Sequence, residues 1–308
     1  MTMVALDRAL DVTGRAALDR ALAALEREAP EPVARGRRAL DRALSWTERT
    51  AWPEIAWRFS PLADGVPVEL VWRPGRPGLF WTAEPAAPEW SGARGLTRAL
   101  ALVRLINGSV APGLRAAARE ALARTDDPWP VWAAGRHDAK GDATKLYVSS
   151  RCVPAGMLRV SALLRGDDKP MMLGLTQEGG REFYWARPTR IAGDLWRLSA
   201  DPEIEPLARS LDAALADWTG GGLDDEDGSR LGLSLALDTA GHATALAAFM
   251  RVSAAGGDER VRKRLLEFGG EANPALATLW AERQVRPMML TLGATSAGIA
   301  TAIGLRIV

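Results

Sequence analysis

Between residues 231 and 237 every second residue is leucine (Leu231, Leu233, Leu235, Leu237), and the three between them are Gly232, Ser234 and Ala236. A period of two is the signature of a strand. Its two faces are unusual together: one is uniformly greasy, and the other is neither polar nor bulky. Such a strand fits a wall whose leucine side packs under helices while its other side looks into a space. The end of the chain repeats the split, with Ile299, Ile303 and Leu305 set against Ala300, Ala302 and Gly304.

The wall has many members. Alternating runs at 55–60, 66–72 and 78–84 precede helical segments at 93–106 and 111–124, which the Asn107-Gly108 turn signal separates. Strands then recur in pairs at 130–135 with 143–149, 171–177 with 181–187, 230–238 with 242–252, and 286–294 with 298–307. Helix or loop at 154–166 and helical stretches at 203–218, 257–268 and 273–284 lie between the pairs. Two strands and then helix therefore recur about five times at spacings of some 50–60 residues, as a repeat of form rather than of sequence. Linked antiparallel pairs with outer helices can close into a barrel, which removes sheet edges; an open sheet covered on one side would give a similar pattern. Residues 1–50 read as a separate helical layer, two helices from Leu6 to Trp46 split at Pro30–Pro32, and residues 51–308 as the barrel, within a single domain.

Composition removes several classes of function. Lysine and arginine number 39 against 38 acidic residues, so the chain lacks the basic excess of a nucleic-acid binder. No apolar run reaches the roughly 18 residues of a membrane span. The start mixes Asp and Arg into nearly every turn, unlike a secretory signal, and the expectation is a cytoplasmic protein. High Ala, Arg and Gly suggest a GC-rich bacterial genome. One cysteine, Cys152, excludes an internal disulfide and a cysteine zinc site, and reads as a small buried residue. The two histidines, His137 and His242, both read as surface residues in polar loops or turns. Gly220-Gly221-Gly222 lacks the strand and lysine of a phosphate loop and reads as a helix stop. Asp224-Asp225-Glu226-Asp227 reads as a solvated loop.

Three segments resemble one family. Asp64-Gly65-Val66-Pro67-Val68-Glu69 is similar to the D-G-x-P-x-E segment of dimethylallyltryptophan-synthase-type prenyltransferases. The run from Trp81 to Pro85 ends in the Glu-Pro that often closes their next strand. Lys145-Leu146-Tyr147-Val148 resembles their K-x-Y strand, shared with the peptide prenyltransferases of cyanobactin pathways. The resemblance implies the ABBA barrel, an α/β fold of about ten antiparallel strands inside a ring of helices. It further implies an enzyme that moves an allylic prenyl group from its diphosphate to an indole, tryptophan or other aromatic acceptor, with no metal strictly required. The expected partners are a prenyl diphosphate and that acceptor; the oligomeric state is left open.

By the resemblance, Glu69 is the acceptor-binding carboxylate. It shares a face with Pro67 and Val71, opposite Val68, Leu70 and Trp72, so it should point inward; the plainer alternative is a glutamate paired with Arg58 or Arg73. Lys145 and Tyr147 alternate with Leu146 and Val148 and become a diphosphate ligand and a cation shield. Arg181, Phe183 and Trp185 share a face with Arg187 and stand against the family's R-x-K-x-Y. That makes Arg181 a diphosphate ligand and Phe183 and Trp185 pocket walls, or else core filling. Phe80 stands where an arginine is expected and is assigned to the prenyl pocket. Arg251 and Arg306 are the only cations on the inward faces of the last pairs, whose other members are Ala243, Ala245, Ala247, Phe249, Met289, Thr291, Gly293, Ala300, Ala302 and Gly304. This set of cations is thin for a diphosphate. Its small neighbours fit either an enlarged lumen or a barrel that has lost catalysis and binds a hydrophobic ligand or a partner.

Overall fold

In a computed structural model the chain closes into one barrel. The structure describes residues 4–45, 68–85, 92–126, 131–154, 157–188, 201–220, 231–269, 279–280 and 285–307. The strand expected at 55–60 and the acidic loop at 224–227 lie outside the described residues, as does most of the helix expected at 273–284.

Ten strands are described, every neighbouring pair antiparallel: β1 (Val68–Trp72), β2 (Gly78–Ala83), β3 (Val131–Asp138), β4 (Gly141–Ser149), β5 (Lys169–Thr176), β6 (Arg181–Arg187), β7 (Leu231–Leu237), β8 (Ala243–Arg251), β9 (Val285–Thr295) and β10 (Gly298–Ile307). Each strand pairs with the next, and β1 pairs with β10, so no edge is left open. Closure decides between the two architectures that the strand pattern allowed.

Helices wrap the outside: α1 (Val4–Glu28), α2 (Pro30–Ser45), α3 (Gly92–Asn107), α4 (Pro112–Leu122), α5 (Leu158–Leu163), α6 (Glu205–Thr219) and α7 (Gly257–Gly269). Their ends follow local chemistry. Pro112 opens α4, where its missing N–H has no helical partner to lose. Gly220 ends α6 at φ 69°, a left-handed conformation that costs glycine little. Helix α2 buries Val33, Gly36, Ala39, Leu40, Ala43 and Leu44, a stripe at helical spacing laid over β2 and β3.

The barrel is built greasy side out. Leu146, Val148, Leu173, Leu175, Leu233, Leu235, Leu246, Leu290, Leu292 and Ile303 are buried under the helices. The alternate residues of the same strands, among them Lys145, Tyr147, Glu182, Tyr184, Ala247, Phe249, Thr291 and Ala302, face the lumen and keep partial contact with solvent. Burial of the outer faces drives closure, at about 1.5–3 kcal/mol for each large apolar side chain. The inner faces are left to chemistry.

Two surface readings need correction. His137 lies on β3 and is 1% exposed. Its Nδ1 is 3.1 Å from Asp142, which Arg35 of α2 also holds at 3.0 Å. His137 belongs to the outward face of β3, under α2, and burial pulls its imidazole below the ordinary value despite Asp142. Cys152 is exposed because it falls in the turn after β4 and not in a strand. His242 is on the surface, as expected, bonded to Glu203 at 2.9 Å.

Candidate active site

The lumen wall at β1 carries Glu69. It lies opposite Thr82 in register, and its carboxylate lies over Gly304 of β10, where a Cβ would stand 1.8 Å from Oε1. No hydrogen bond or ion pair holds the Glu69 carboxyl among the described residues. Arg73, the described one of its two expected partners, turns elsewhere, and Arg58 lies outside the described residues. Desolvation deep in the barrel pushes the Glu69 carboxyl up to about 8.

Following the ladder from Glu69 through Thr82 and Ala134 leads to Lys145 on β4. Three interstrand steps separate the two, about 14 Å along the wall. Lys145 crosses β5 above Gly174, where a Cβ would meet its Cε at 2.5 Å, and reaches Glu182 on β6. The ammonium also donates to the Tyr184 hydroxyl at 2.9 Å. The other oxygen of Glu182 accepts from Ser234 of β7. Burial raises the Glu182 carboxyl, but the Lys145 charge and the hydrogen bonds from Lys145 and Ser234 more than offset it and hold it low. Burial lowers Lys145, and the charge of Glu182 reverses that, so the pair is ionised.

Aromatic rings surround this pair. The Lys145 nitrogen stands 5.2 Å from the Tyr147 ring centre and 5.3 Å from that of Tyr184. Tyr147 meets Tyr184 edge-on at 5.7 Å, and Tyr184 lies 5.8 Å from Phe249. Phe249 rests on Gly232, where a Cβ would come within 1.8 Å of its ring. The tiny face of β7 is thus partly covered by its neighbour's ring. The result is an arc of three π faces, which attract cations.

A second group of cations gathers at the β1–β2–β3 end. Arg73 lies over Phe80 with its guanidinium carbon 5.0 Å from the ring centre, and Arg76 lies 5.7 Å from the same ring. Arg76 is tied to Asp138 at 2.6 Å, and Arg136 stands 3.9 Å from that carboxylate. The Arg73 side chain makes no hydrogen bond or ion pair among the described residues, and its Nε is buried without a partner. Desolvation and then the charge of Arg76 lower its pKa.

The structure therefore brings Glu69, Lys145, Tyr147 and Phe80 to the lumen. It does not bring Phe183 and Trp185 there. Both are fully buried in the outer core, their rings stacked at 6.5 Å. The inward face of β6 is Glu182, Tyr184 and Ala186. Arg181 is exposed at the start of the outer row, and Arg187 closes that row, buried against Asp168. Register explains the difference: Phe183 pairs with Leu235 and Trp185 with Leu233, and the leucine face of β7 is the outer one. Extending that face by one strand would have placed both aromatics correctly. Arg251 is exposed at the end of β8, and Arg306 lies opposite Arg286 near the end of β10. Sequence reading missed Glu182, Tyr184 and Arg136; it placed Ser234 on the lumen face without a role, and named Arg73 only as a partner for Glu69.

Among the described residues no three His, Cys, Asp or Glu side chains gather to hold a metal ion, and no helix is long and apolar enough to cross a membrane. No family model and no curated protein matches the sequence. Solved structures do match. 5-Dimethylallyl tryptophan synthase from Streptomyces coelicolor, solved with DMASPP and Trp, superposes with a TM-score of 0.71 at 18% identity, over 95% of this chain and 94% of that one. The prenyltransferase PriB gives 0.70 at 16% identity, over 96% of both chains. AnaPT from Neosartorya fischeri gives 0.63 at 12%, over 94% and 91%. At these identities the likeness is one of fold, and that fold is the ABBA barrel of the aromatic prenyltransferases.

Proposed function

We propose that the protein transfers an allylic prenyl group from its diphosphate to an aromatic acceptor carrying an N–H, such as an indole. The observation that carries this reading is the lumen wall. An unpartnered carboxyl, Glu69, lies on the same row of the sheet as a lysine set among tyrosine rings. Those are the groups that an allyl transfer needs. The donor's C1–O bond breaks, and its electron pair leaves on the diphosphate, whose growing charge is met by Arg73. Tyr147, Tyr184 and Phe249 cover the allyl cation and keep water from it. An acceptor ring carbon supplies the pair for the new C–C bond. Glu69, ionised, accepts a hydrogen bond from the acceptor's N–H and so stabilises the positive charge that spreads over the ring, while that proton stays on nitrogen. Loss of the ring-carbon proton to the released diphosphate restores aromaticity.

One observation favours a second reading, in which the barrel binds a hydrophobic ligand without catalysis: Glu182 offsets the charge of Lys145. Incubation with dimethylallyl, geranyl or farnesyl diphosphate and tryptophan or indole separates the two. Transfer gives an acceptor heavier by the prenyl mass together with released pyrophosphate, both lost in Glu69→Gln. No product and no thermal shift with any of the three donors supports the binding barrel.

A further inference from the structure

Glu182 is held on every side. One oxygen takes Lys145 and the other takes Ser234. The contact with Lys145 is built rather than incidental, because the lysine spans β5 only where Gly174 leaves room for its Cε. A lysine so paired has little attraction left for an incoming anion.

Arg73 stands in the opposite condition. It is folded over Phe80, its buried Nε has no partner, and the nearby cations Arg76 and Arg136 are engaged by Asp138. It lies close enough to Lys145 and Glu182 for each charge to act on the others. Arg73, Lys145 and Glu182 together present a single net positive charge to the lumen.

We propose that Glu182 selects the charge of the head group this barrel accepts: by closing Lys145 into an ion pair it leaves Arg73 as the cation that takes an incoming phosphate, and it disfavours highly charged anions. The inference rests on the prenyl-diphosphate reading only for the nature of the head group.

The test is calorimetric titration with inorganic pyrophosphate and with orthophosphate, in the wild-type protein and four variants. Glu182→Gln frees Lys145 and should tighten pyrophosphate at least tenfold more than orthophosphate. Lys145→Gln leaves Glu182 as a bare anion and should bind pyrophosphate most weakly of the Lys145 and Glu182 series. Lys145→Gln with Glu182→Gln restores a neutral pair of unchanged size and should return to the wild-type affinity. Arg73→Gln should weaken both anions tenfold or more. A double variant as weak as Lys145→Gln alone makes Lys145 the anion ligand and overturns the proposal. So does an unchanged anion preference in Glu182→Gln, a full-strength Arg73→Gln, or absence of pyrophosphate binding in wild type and Glu182→Gln alike. The expected order without any prenyl transfer would leave this inference standing and remove the catalytic reading. Transfer with the reverse order would do the opposite.

Discussion

The Glu69 carboxylate occupies the volume that a side chain at residue 304 would fill. Glycine at 304 is thus part of the proposed acceptor site although it has no side chain to offer. Gly304→Ala should turn the carboxyl out of its place while β10 keeps its ladder. The expected result is a loss of turnover of about a hundredfold, the scale of a misplaced catalytic group. Steady-state kinetics beside far-UV circular dichroism would show it, and an unchanged rate in a folded variant would contradict it.

Glu69 also makes a prediction about pH. Its carboxyl titrates near 8 in the fold against an ordinary 4.5. The native state therefore holds a proton that the unfolded chain gives up, so stability falls as pH rises from about 4.5 to about 8 and is level above that. Glu69→Gln should abolish that part of the slope. At pH 8 it should be more stable than wild type by about 1–3 kcal/mol, allowing for screening by lumen water. Urea denaturation at pH 5 and pH 8 reads the difference. Turnover, which needs the ionised carboxyl, should rise through the same interval.

Trp185 and Tyr184 are neighbours on one strand with opposite duties. Trp185→Ala should cost about 3–5 kcal/mol of stability by opening a hole in the outer core. It should leave KM for the prenyl donor unchanged in the protein that folds. Tyr184→Phe should keep the fold and change the lumen, removing the hydrogen bond that Lys145 donates to the Tyr184 hydroxyl. Denaturant midpoints and KM values for the two variants should move in opposite patterns.

Arg187 and Asp168 are both buried, with two guanidinium nitrogens on one carboxylate. Arg187→Ala leaves Asp168 as an uncompensated buried charge and should destabilise by about 3–5 kcal/mol, whereas replacing both with apolar residues should cost far less. A double-mutant cycle by thermal denaturation measures this.

How far the sequence spoke depended on which residues carry face information. Leu231 to Leu237 announce an outer wall, and the inward placement of Glu69, Lys145 and Tyr147 follows from alternation with aliphatic neighbours. In Arg181 to Arg187 both faces carry aromatics and charge, so period two alone does not say which is inside. Resemblance chose the wrong row there, and cross-strand pairing with Leu233 and Leu235 settles it. Arg73 and Arg136 were hidden for another reason. Arg73 follows the last residue of β1, and Arg136 sits three residues before a turn, so their approach to Phe80 and Asp138 exists only once the barrel closes. The burial of His137 is likewise tertiary, set by α2 lying over β3.

The central claim is that the donor enters the barrel, and a crystal structure with an unreactive prenyl thiolodiphosphate tests it most directly. The account predicts the phosphates against Arg73 and the prenyl chain along Tyr147, Tyr184 and Phe249. Density for the analogue only on the outer surface, with Arg73 still bare, would contradict it.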